Sequence, residues 1–389
     1  MTFLYILLAI VILLFMVLVH EFGHYVAGKI LKFKITEFSV GFGFPLFSKT
    51  NKKTGEKFSL RIFPLGGYCA FEGEDDEKET ESPTAFNNQK PWKRIIVFLA
   101  GVTANFITAI LFSWILLSTI GYDVPQIVNF DQVKYVNEYQ VGDIITQIDG
   151  KNIDFAFGEN FVPLVTAQKK KAQEAYKTYQ DAGEDFSTWT AENNKYYTFE
   201  MTVKRHGTVE KLEIIVYPNI EQNTKGEDFI NCYIGLESAK GEPACTKAYV
   251  YNAWEGFCRS FEVAFGFAWV VLKSLWMLIT FQIPITELGG TIATISTIAT
   301  YASQNMSYLL VFIPLIAANL AVFNLLPFPA LDGSHVVFTL IEWIRGKPIN
   351  RKVEGRIHFI GICILFAFVI IVDILHFVLK WFFDCLTKI

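Results

Sequence analysis

The sequence predicts a multi-pass α-helical membrane protein with four transmembrane helices, a membrane-associated β-region and an inserted β-rich domain outside the membrane. Of its 389 residues, 52% are hydrophobic and 16% are aromatic, and the apolar residues are concentrated in blocks. A helix that crosses a bilayer needs about 20 apolar residues. Four blocks carry at most one formal charge each and are long enough to cross: residues 3–19, 95–120, 308–331 and 357–379.

The first block could instead be a secretory signal peptide. No basic segment precedes it and no small-residue cleavage site follows it, so a transmembrane helix is favoured. The net charge of −4 argues against a nucleic-acid partner.

Basic residues indicate which way the helices run, because Lys and Arg accumulate in short cytoplasmic loops. Residues 32–94 contain eleven of them and the loop 345–356 contains five, whereas only Met1 and Thr2 precede the first block. We therefore expect both termini and residues 122–250 to lie outside the cytoplasm.

Two regions between the blocks have the composition of β-structure. The loop 32–94 contains "EFSVGFGFPLF" and "KFSLRIFPLGGYCAFEG", in which glycines allow close backbone approach or bends. In the outer region, turns at Asp149-Gly150 and His206-Gly207 separate alternating apolar runs. The charged segment between these runs is predicted to be an insertion, helical or loop-like, at about 165–195.

The end of the first block contains side chains that can bind a metal ion and act as a base. "HEFGH" places His20 and His24 one helical turn apart on one face, where both can ligate a zinc ion. Glu21 between them can act as a base toward water activated by the metal. Charged and polar side chains are costly at this depth in a membrane, and a metal site with a mechanism compensates that cost.

A catalytic zinc has three protein ligands and one open position, so a third ligand is needed. Asp332 follows an uncharged block that Pro327 and Pro329 should break or kink. Measured along straight helices, Asp332 and His20 both fall near the cytoplasmic boundary. His335, about one turn from Asp332, is the rival ligand, although two histidines and one carboxylate suit a zinc hydrolase better.

Segment 261–281 is apolar enough to be a fifth span. It contains Lys273 and follows Glu255 and Arg259, which suits an interfacial amphipathic helix. A fifth span would also place Asp332 on the opposite face from His20, so the sequence favours four spans.

The remaining histidines and cysteines give weaker signals. His358 and His376 have no partner motif, and we expect them to be interfacial or packed side chains. The six cysteines contain no CxxC pair. Cys232 and Cys245 could form a disulfide if their domain faces an oxidising compartment.

In combination, these motifs resemble the site-2 protease family of intramembrane zinc metalloproteases, specifically its bacterial regulated-intramembrane-proteolysis branch with a PDZ domain. "HEFGH", "FPLGGY", "KPWKRIIVFLAGVTANF", "VGDIITQIDGKNI" and "NLLPFPALDG" resemble the family's motifs in order along nearly the whole chain. The resemblance implies that the outer domain is PDZ-like.

The resemblance also implies roles for individual residues. His20, His24 and Asp332 would ligate one zinc ion per chain, with Glu21 as the catalytic base. Five residues would contact substrate: Asn319, Asn324, Asn105, Gly66 and Gly67. An exposed β edge within residues 58–72 would hold the substrate in an extended conformation, because strand addition satisfies the backbone groups of an unwound peptide.

The predicted reaction is hydrolysis of a peptide bond in or near a transmembrane segment. The expected partners are the lipid bilayer and single-span membrane proteins, such as anti-sigma factors, or signal-peptide remnants. We expect a multi-pass protein of the cell membrane, the bacterial inner membrane, with the active site near the cytoplasmic face. The alternative is a non-catalytic membrane receptor with a structural metal and a peptide-binding PDZ domain.

The predicted organisation follows the chain. It comprises helix 1 (1–27), the β-region (28–93), helix 2 (94–120), the PDZ-like domain (121–242), an interfacial helix with a connector (243–305), helix 3 (306–342), a cytoplasmic loop (343–356) and helix 4 (357–383).

Overall fold

The computed structural model describes residues 2–74, 82–127, 137–153, 161–183, 196–222, 228–236, 247–284 and 289–386. These residues divide into two compact units, one formed by residues 1–115 and 263–389 and the other by residues 116–262.

The helices and strands are named in chain order. They are α1 (Thr2–Ile30), β1 (Ile35–Thr50), β2 (Lys57–Phe71), α2 (Pro91–Thr119), β3 (Tyr122–Val124), β4 (Ile144–Ile148), β5 (Lys151–Asn152), α3 (Phe161–Asp181), β6 (Tyr197–Arg205), β7 (Thr208–Gln222), β8 (Asp228–Tyr233), β9 (Lys247–Tyr249), α4 (Ala253–Ile279), α5 (Thr291–Gln304), α6 (Leu309–Leu325), α7 (Asp332–Arg345) and α8 (Arg351–Leu386).

Among the described residues, five helices are long and apolar enough to cross a membrane. Four of them, α1, α2, α6 and α8, coincide with all or most of the four predicted blocks. The fifth is α4, which the sequence places at the interface. Length and apolar composition do not separate a spanning helix from an interfacial one, so the count of four spans stays a prediction.

The third predicted span is divided into two helices. α6 ends at Leu325 and α7 begins at Asp332, so Pro327 and Pro329 lie in a break, as predicted. Gly333 allows α7 to start directly against the end of α6, because a Cβ on Gly333 would lie 2.3 Å from the Leu325 carbonyl oxygen. The break therefore delivers Asp332 as the first residue of a new helix.

β1 and β2 form a sheet in which each long strand contributes two paired segments. Residues 37–40 pair with 67–70 on one side and with 57–60 on the other, and residues 47–50 pair with 57–60. Gly41 and Gly43 have φ angles of 84° and 87°, which permit the bend within β1. Segment 67–71 is thus an edge of this sheet among the described residues, whereas 57–60 lies inside it.

An aromatic cluster fixes the base of the sheet against α1 and α2. Phe33 and Phe71 are buried with Phe86 and with Phe98 of α2, and adjacent ring centroids lie 5.1–5.8 Å apart. Gly28 admits the Phe71 ring, since a Cβ there would lie 2.4 Å from Phe71 Cε1. This packing holds the C-terminal end of β2 beside the second half of α1.

The second unit contains a five-stranded antiparallel sheet in the order β5-β4-β6-β7-β8. The predicted turn at His206-Gly207 joins β6 to β7, and both residues have positive φ. Helix α3 covers one face of the sheet and contributes fully buried Tyr176 to its core. The segment from 165 that the sequence treats as an insertion therefore supplies part of that core, while residues 184–195 lie outside the described residues.

Cys232 is a buried free thiol on β8, and Cys245 lies outside the described residues. The PDZ-like assignment of this unit rests on sequence resemblance and stays a prediction.

Candidate metal centre and active site

Three side chains from α1 and α7 converge on one point. Asp332 Oδ2 lies 2.9 Å from His20 Nε2 and 3.3 Å from His24 Nε2. The two Nε2 atoms are 3.2 Å apart. Both histidines are 7% exposed, and Asp332 is largely buried. The structure therefore brings together the three ligands that the sequence proposes.

His24 is held in the tautomer that binds metal through Nε2. Its Nδ1 lies 2.8 Å from the carbonyl oxygen of Val97 on α2. Because a carbonyl oxygen only accepts hydrogen bonds, Nδ1 carries the proton and Nε2 of the neutral ring keeps its lone pair. Metal-ligating histidines commonly donate their other N–H to a backbone carbonyl in this way.

His20 has an equivalent partner in Asn105. The Asn105 Nδ2 atom lies 3.3 Å from His20 Nδ1, and Asn105 Oδ1 is buried without a hydrogen-bond partner among the described residues. The oxygen and nitrogen of an amide are assigned from their surroundings. Turning this amide lets Oδ1 accept from the Nδ1–H of His20, which leaves the Nε2 lone pair free.

The resulting arrangement fits a zinc ion. Three atoms with free lone pairs face one another, and buried Asp332 Oδ2 has no hydrogen-bond donor among the described residues. Such a contact is repulsive without a cation between the atoms. Tetrahedral ligands 2.0–2.1 Å from zinc lie about 3.3 Å apart, close to the separations found here. With three protein ligands from the described residues, a fourth position stays available for chemistry.

α2 lines the site beside α1 and α7, through three residues that lie one helical turn apart on one face. Val97 accepts from His24, Asn105 contacts His20, and Gly101 lies between them. A Cβ on Gly101 would lie 2.5 Å from His24 Nε2 and 2.7 Å from His20 Cε1. Glycine is thus required at position 101 for α2 to approach both rings.

Glu21 faces the edge of the β-sheet. The backbone of Cys69 lies close enough to interact with the Glu21 carboxylate. A Cβ on Gly67 would lie 3.6 Å from Glu21 Cγ. Glu21 is only partly buried, in contrast to the two histidines that flank it in the helix. The free edge of segment 67–71 therefore lies directly beside the predicted catalytic base.

A polar cluster holds the sheet that carries this edge. Glu37 accepts hydrogen bonds from Arg61 at 2.8 Å and from Tyr68 at 2.9 Å, and it also accepts from Ser59. Burial raises the pKa of the Glu37 carboxyl, but these hydrogen bonds outweigh burial and lower its pKa to about 2. Burial raises the pKa of the neighbouring Cys69 thiol, which therefore stays protonated and is a poor metal ligand.

The five residues proposed to contact substrate lie in different surroundings. Gly66 has a φ of 108° beside Phe42, and Gly67 lies over Glu21. On α6, Asn319 is exposed and Asn324 is half-buried. Asn105 is fully buried against His20, a position that suits orientation of the ligand rather than contact with a substrate.

His335, the rival ligand, lies outside the group of three. Its ring stacks on Phe98 and on His358, with centroids 4.9 Å and 4.0 Å away. His358 is 9% exposed and packed, as expected for one of the two histidines without a motif. The side chain of His376 lies outside the described residues.

Sequence reasoning assigned Asn105 of α2 to substrate contact and did not find the roles of Val97 and Gly101 on the same helix. Val97 acts through its carbonyl oxygen, which leaves no trace in the residue type. Gly101 and Asn105 do leave a signal in the sequence. They are one helical turn apart, as are His20 and His24, and small residues in membrane helices mark close helix contacts.

Comparison with known proteins gives the family. Residues 8–368 match the family model described as peptidase family M50. The chain belongs to peptidase family M50. This is the site-2 protease family that the sequence motifs resemble.

Similar proteins from three bacteria carry the name "putative zinc metalloprotease". The protein of Campylobacter jejuni is 28% identical over 92% of this chain and 89% of its own length. That of Clostridium acetobutylicum is 27% identical, covering 96% and 97% of the two chains. That of Synechocystis is 28% identical, covering 95% and 94%. This M50 peptidase is accordingly a zinc metalloprotease of the membrane.

Proposed function

We propose that this M50 peptidase hydrolyses peptide bonds in or near the transmembrane segments of single-span membrane proteins. The observation that carries the proposal is the position of Glu21, which lies between two metal ligands and beside a free β edge. Substrates of this class include anti-sigma factors and signal-peptide remnants, as the family resemblance implies.

The residues of the site have separate roles in the proposed reaction. His20, His24 and Asp332 would hold the zinc ion, with Val97 and Asn105 orienting the two rings. Zinc bound there supplies a Lewis acid that polarises the scissile carbonyl and makes water more acidic. Glu21 takes a proton from the attacking water and can return it to the leaving amine.

Segment 67–71 is proposed to bind the substrate backbone. A peptide inside an α-helix has its carbonyls engaged in hydrogen bonds, so it must unwind before attack. An extended substrate strand added to this edge would replace the lost backbone hydrogen bonds. Asn319 and Asn324 on α6 carry side-chain amides that can bond further backbone groups.

The active site is proposed to lie near the cytoplasmic face of the cell membrane, with both termini outside the cytoplasm. The excess of Lys and Arg in residues 32–94 and 345–356 supports this orientation.

The receptor alternative is not favoured. A structural zinc site is closed by four protein ligands, whereas the described residues supply three here.

Glu21→Gln tests the proposal. The variant should fold and retain zinc, because Glu21 is not one of the ligands. Cleavage of a purified single-span substrate should fall by about 10²–10⁴-fold, the contribution of a general base. Glu262→Gln, at an exposed position on α4, is the matched control and should cleave normally. Cleavage by Glu21→Gln at the wild-type rate would show that Glu21 is not the base.

The same variant tests the substrate class. Membrane proteomes of cells with wild-type protein and with Glu21→Gln should differ by the accumulation of uncut single-span proteins or signal-peptide remnants. If neither accumulates, the proposed substrates are wrong.

A further inference from the structure

The turn before Asp332 has an unusual backbone. Ala330 has a φ of 90°, a left-handed conformation that is strained for any residue with a Cβ. Ala330 lies two residues before Asp332, so its conformation sets the direction in which α7 and the Asp332 carboxylate leave the turn. Strain of this kind persists only where the surrounding structure holds it.

One face of α8 holds this turn. His358 Nδ1 accepts a hydrogen bond of 3.1 Å from the Ala330 backbone N–H. Gly361, one turn further along α8, abuts the preceding residue, since a Cβ there would lie 2.4 Å from the Pro329 carbonyl oxygen. α8 therefore touches the turn at two successive residues.

The His358 ring is itself fixed. It is buried and stacks on His335 with the ring planes 11° apart, and His335 stacks on Phe98 with the planes 16° apart. Phe98 belongs to α2, next to Val97, whose carbonyl oxygen accepts from His24. The acceptor on His358 is thus oriented by the same helix that orients the zinc ligand His24.

We propose that His358 is a positioning residue for Asp332. Its Nδ1 holds the strained Ala330 turn in the one conformation that aims the Asp332 carboxylate at His20 and His24. The proposal rests on the assignment of Asp332 as a zinc ligand, and it concerns no contact of His358 with zinc or substrate.

A second metal site is the other interpretation of this cluster, because ligand atoms of His335, Glu354 and His358 lie within 4.8 Å of one another. Three observations disfavour it. His358 Nδ1 accepts from Ala330, so the ring proton is on Nε2. Arg351 already donates to Glu354 at 2.7 Å. The lone pairs of two stacked rings lie in nearly parallel planes and do not converge on a common ion.

The test compares His358→Phe with His358→Asn in the purified full-length protein. Phenylalanine keeps a ring for the stack but has no acceptor, whereas the amide oxygen of asparagine can occupy the position of Nδ1. We expect zinc release to a chelator to be about tenfold faster in His358→Phe, the low end for groups that orient metal ligands. kcat should fall with KM little changed, and His358→Asn should lie near wild type.

Two further variants complete the experiment. Phe359→Ala changes the exposed neighbour of His358 and should match wild type. Ala330→Gly in the His358→Phe background should recover slow zinc release, because glycine adopts a positive φ without strain. A purely structural loss of packing would not be rescued by a glycine in the turn.

The outcomes are distinct. If His358→Phe releases zinc at the wild-type rate, the positioning role is refuted. If wild-type protein binds two zinc equivalents and His358→Phe binds one, the cluster is a metal site and the proposal is overturned. If Asp332→Asn retains wild-type zinc affinity, the proposed centre itself is wrong. Should His358→Phe not fold, His358→Gln replaces it, since the longer amide cannot place its oxygen at the Nδ1 position.

Discussion

A single methyl group at position 101 should disable the metal centre while leaving the fold intact. In Gly101→Ala, the new Cβ would lie 2.5 Å from His24 Nε2, whereas ordinary contacts begin at 3.4 Å. The His24 ring must therefore move by about 0.9 Å to relieve the overlap. The ring cannot swing away freely, because Nδ1 is bound to the Val97 carbonyl oxygen.

The size of that movement sets the expected effect. Zinc–ligand distances tolerate deviations of about 0.2 Å, so a shift of about 0.9 Å should remove His24 from the ligand set. A misplacement of about 1 Å at a catalytic centre costs about 10²-fold in rate. We expect Gly101→Ala to lose at least that much cleavage activity and to bind zinc substoichiometrically.

Metal analysis, cleavage rate and thermal unfolding of the purified protein check this prediction. Gly355→Ala is the matched control, since a Cβ at that helical glycine meets nothing within 4 Å. Gly23→Ala gives the contrast: its Cβ would lie 2.4 Å from the Ala100 carbonyl oxygen, so it should separate α1 from α2 and lower the unfolding temperature. Full zinc occupancy and normal cleavage in Gly101→Ala would refute the reasoning.

Three other predictions follow from the structure. Asn105→Ala should release zinc about 10–100-fold faster, the usual effect of removing the partner of a metal-bound histidine; a rise in KM with unchanged zinc release would instead indicate substrate contact. Cys69→Pro should lower the cleavage rate while zinc stays bound, because proline removes a backbone N–H from the edge strand. The control Cys69→Ala keeps that N–H and should cleave normally. Equal activity of the two variants would refute the edge-strand hypothesis. The pKa of Glu37 is lowered from 4.5 to about 2 on folding, so its hydrogen bonds stabilise the folded protein above pH 4.5 and that contribution is lost as pH falls toward 2. Glu37→Gln should remove this step from the dependence of the unfolding temperature on pH, and an unchanged profile would contradict the assignment.

The three proposed ligands could be grouped from sequence because their geometry is mostly local. The spacing of His20 and His24 fixes their common face on any helix, and the prolines before Asp332 mark a break that places a carboxylate at a helix start. The assignment of Asp332 over His335 needed only the preference of zinc hydrolases for a carboxylate with two histidines.

The groups that orient those ligands could not be predicted in the same way. Val97 and Asn105 reach the histidines only because α2 packs closely against α1, with Gly101 against the two histidine rings and Gly23 against the Ala100 carbonyl. This close contact between two helices depends on glycines that have no side chain. The hydrophobic pattern of either helix therefore does not predict it. Asn105 was assigned to the substrate through the family resemblance, and its residue type is equally suited to either contact.

The β-region was likewise only partly predictable from the sequence. Two strand-like runs were predicted from their aromatic and aliphatic composition, but the edge was expected anywhere within residues 58–72. The bend at Gly41 and Gly43 lets segment 37–40 pair on both sides, which places 57–60 inside the sheet and leaves 67–71 at the edge. Register depends on this long-range pairing rather than on local composition.

The position of segment 67–71 relates the cost of placing polar side chains near hydrocarbon to the proposed binding of substrate. His20, Glu21 and His24 are costly near hydrocarbon, and the structure compensates the two histidines through buried partners on α2. Glu21 instead faces the edge segment 67–71, and edge backbone groups that stay unpaired away from water also cost free energy, although less than an unpaired carboxylate. An extended peptide added at this edge would satisfy those backbone groups and bring its own carbonyls beside Glu21. A helical substrate can do neither, so the same geometry that tolerates a glutamate here favours an unwound chain over an intact transmembrane helix.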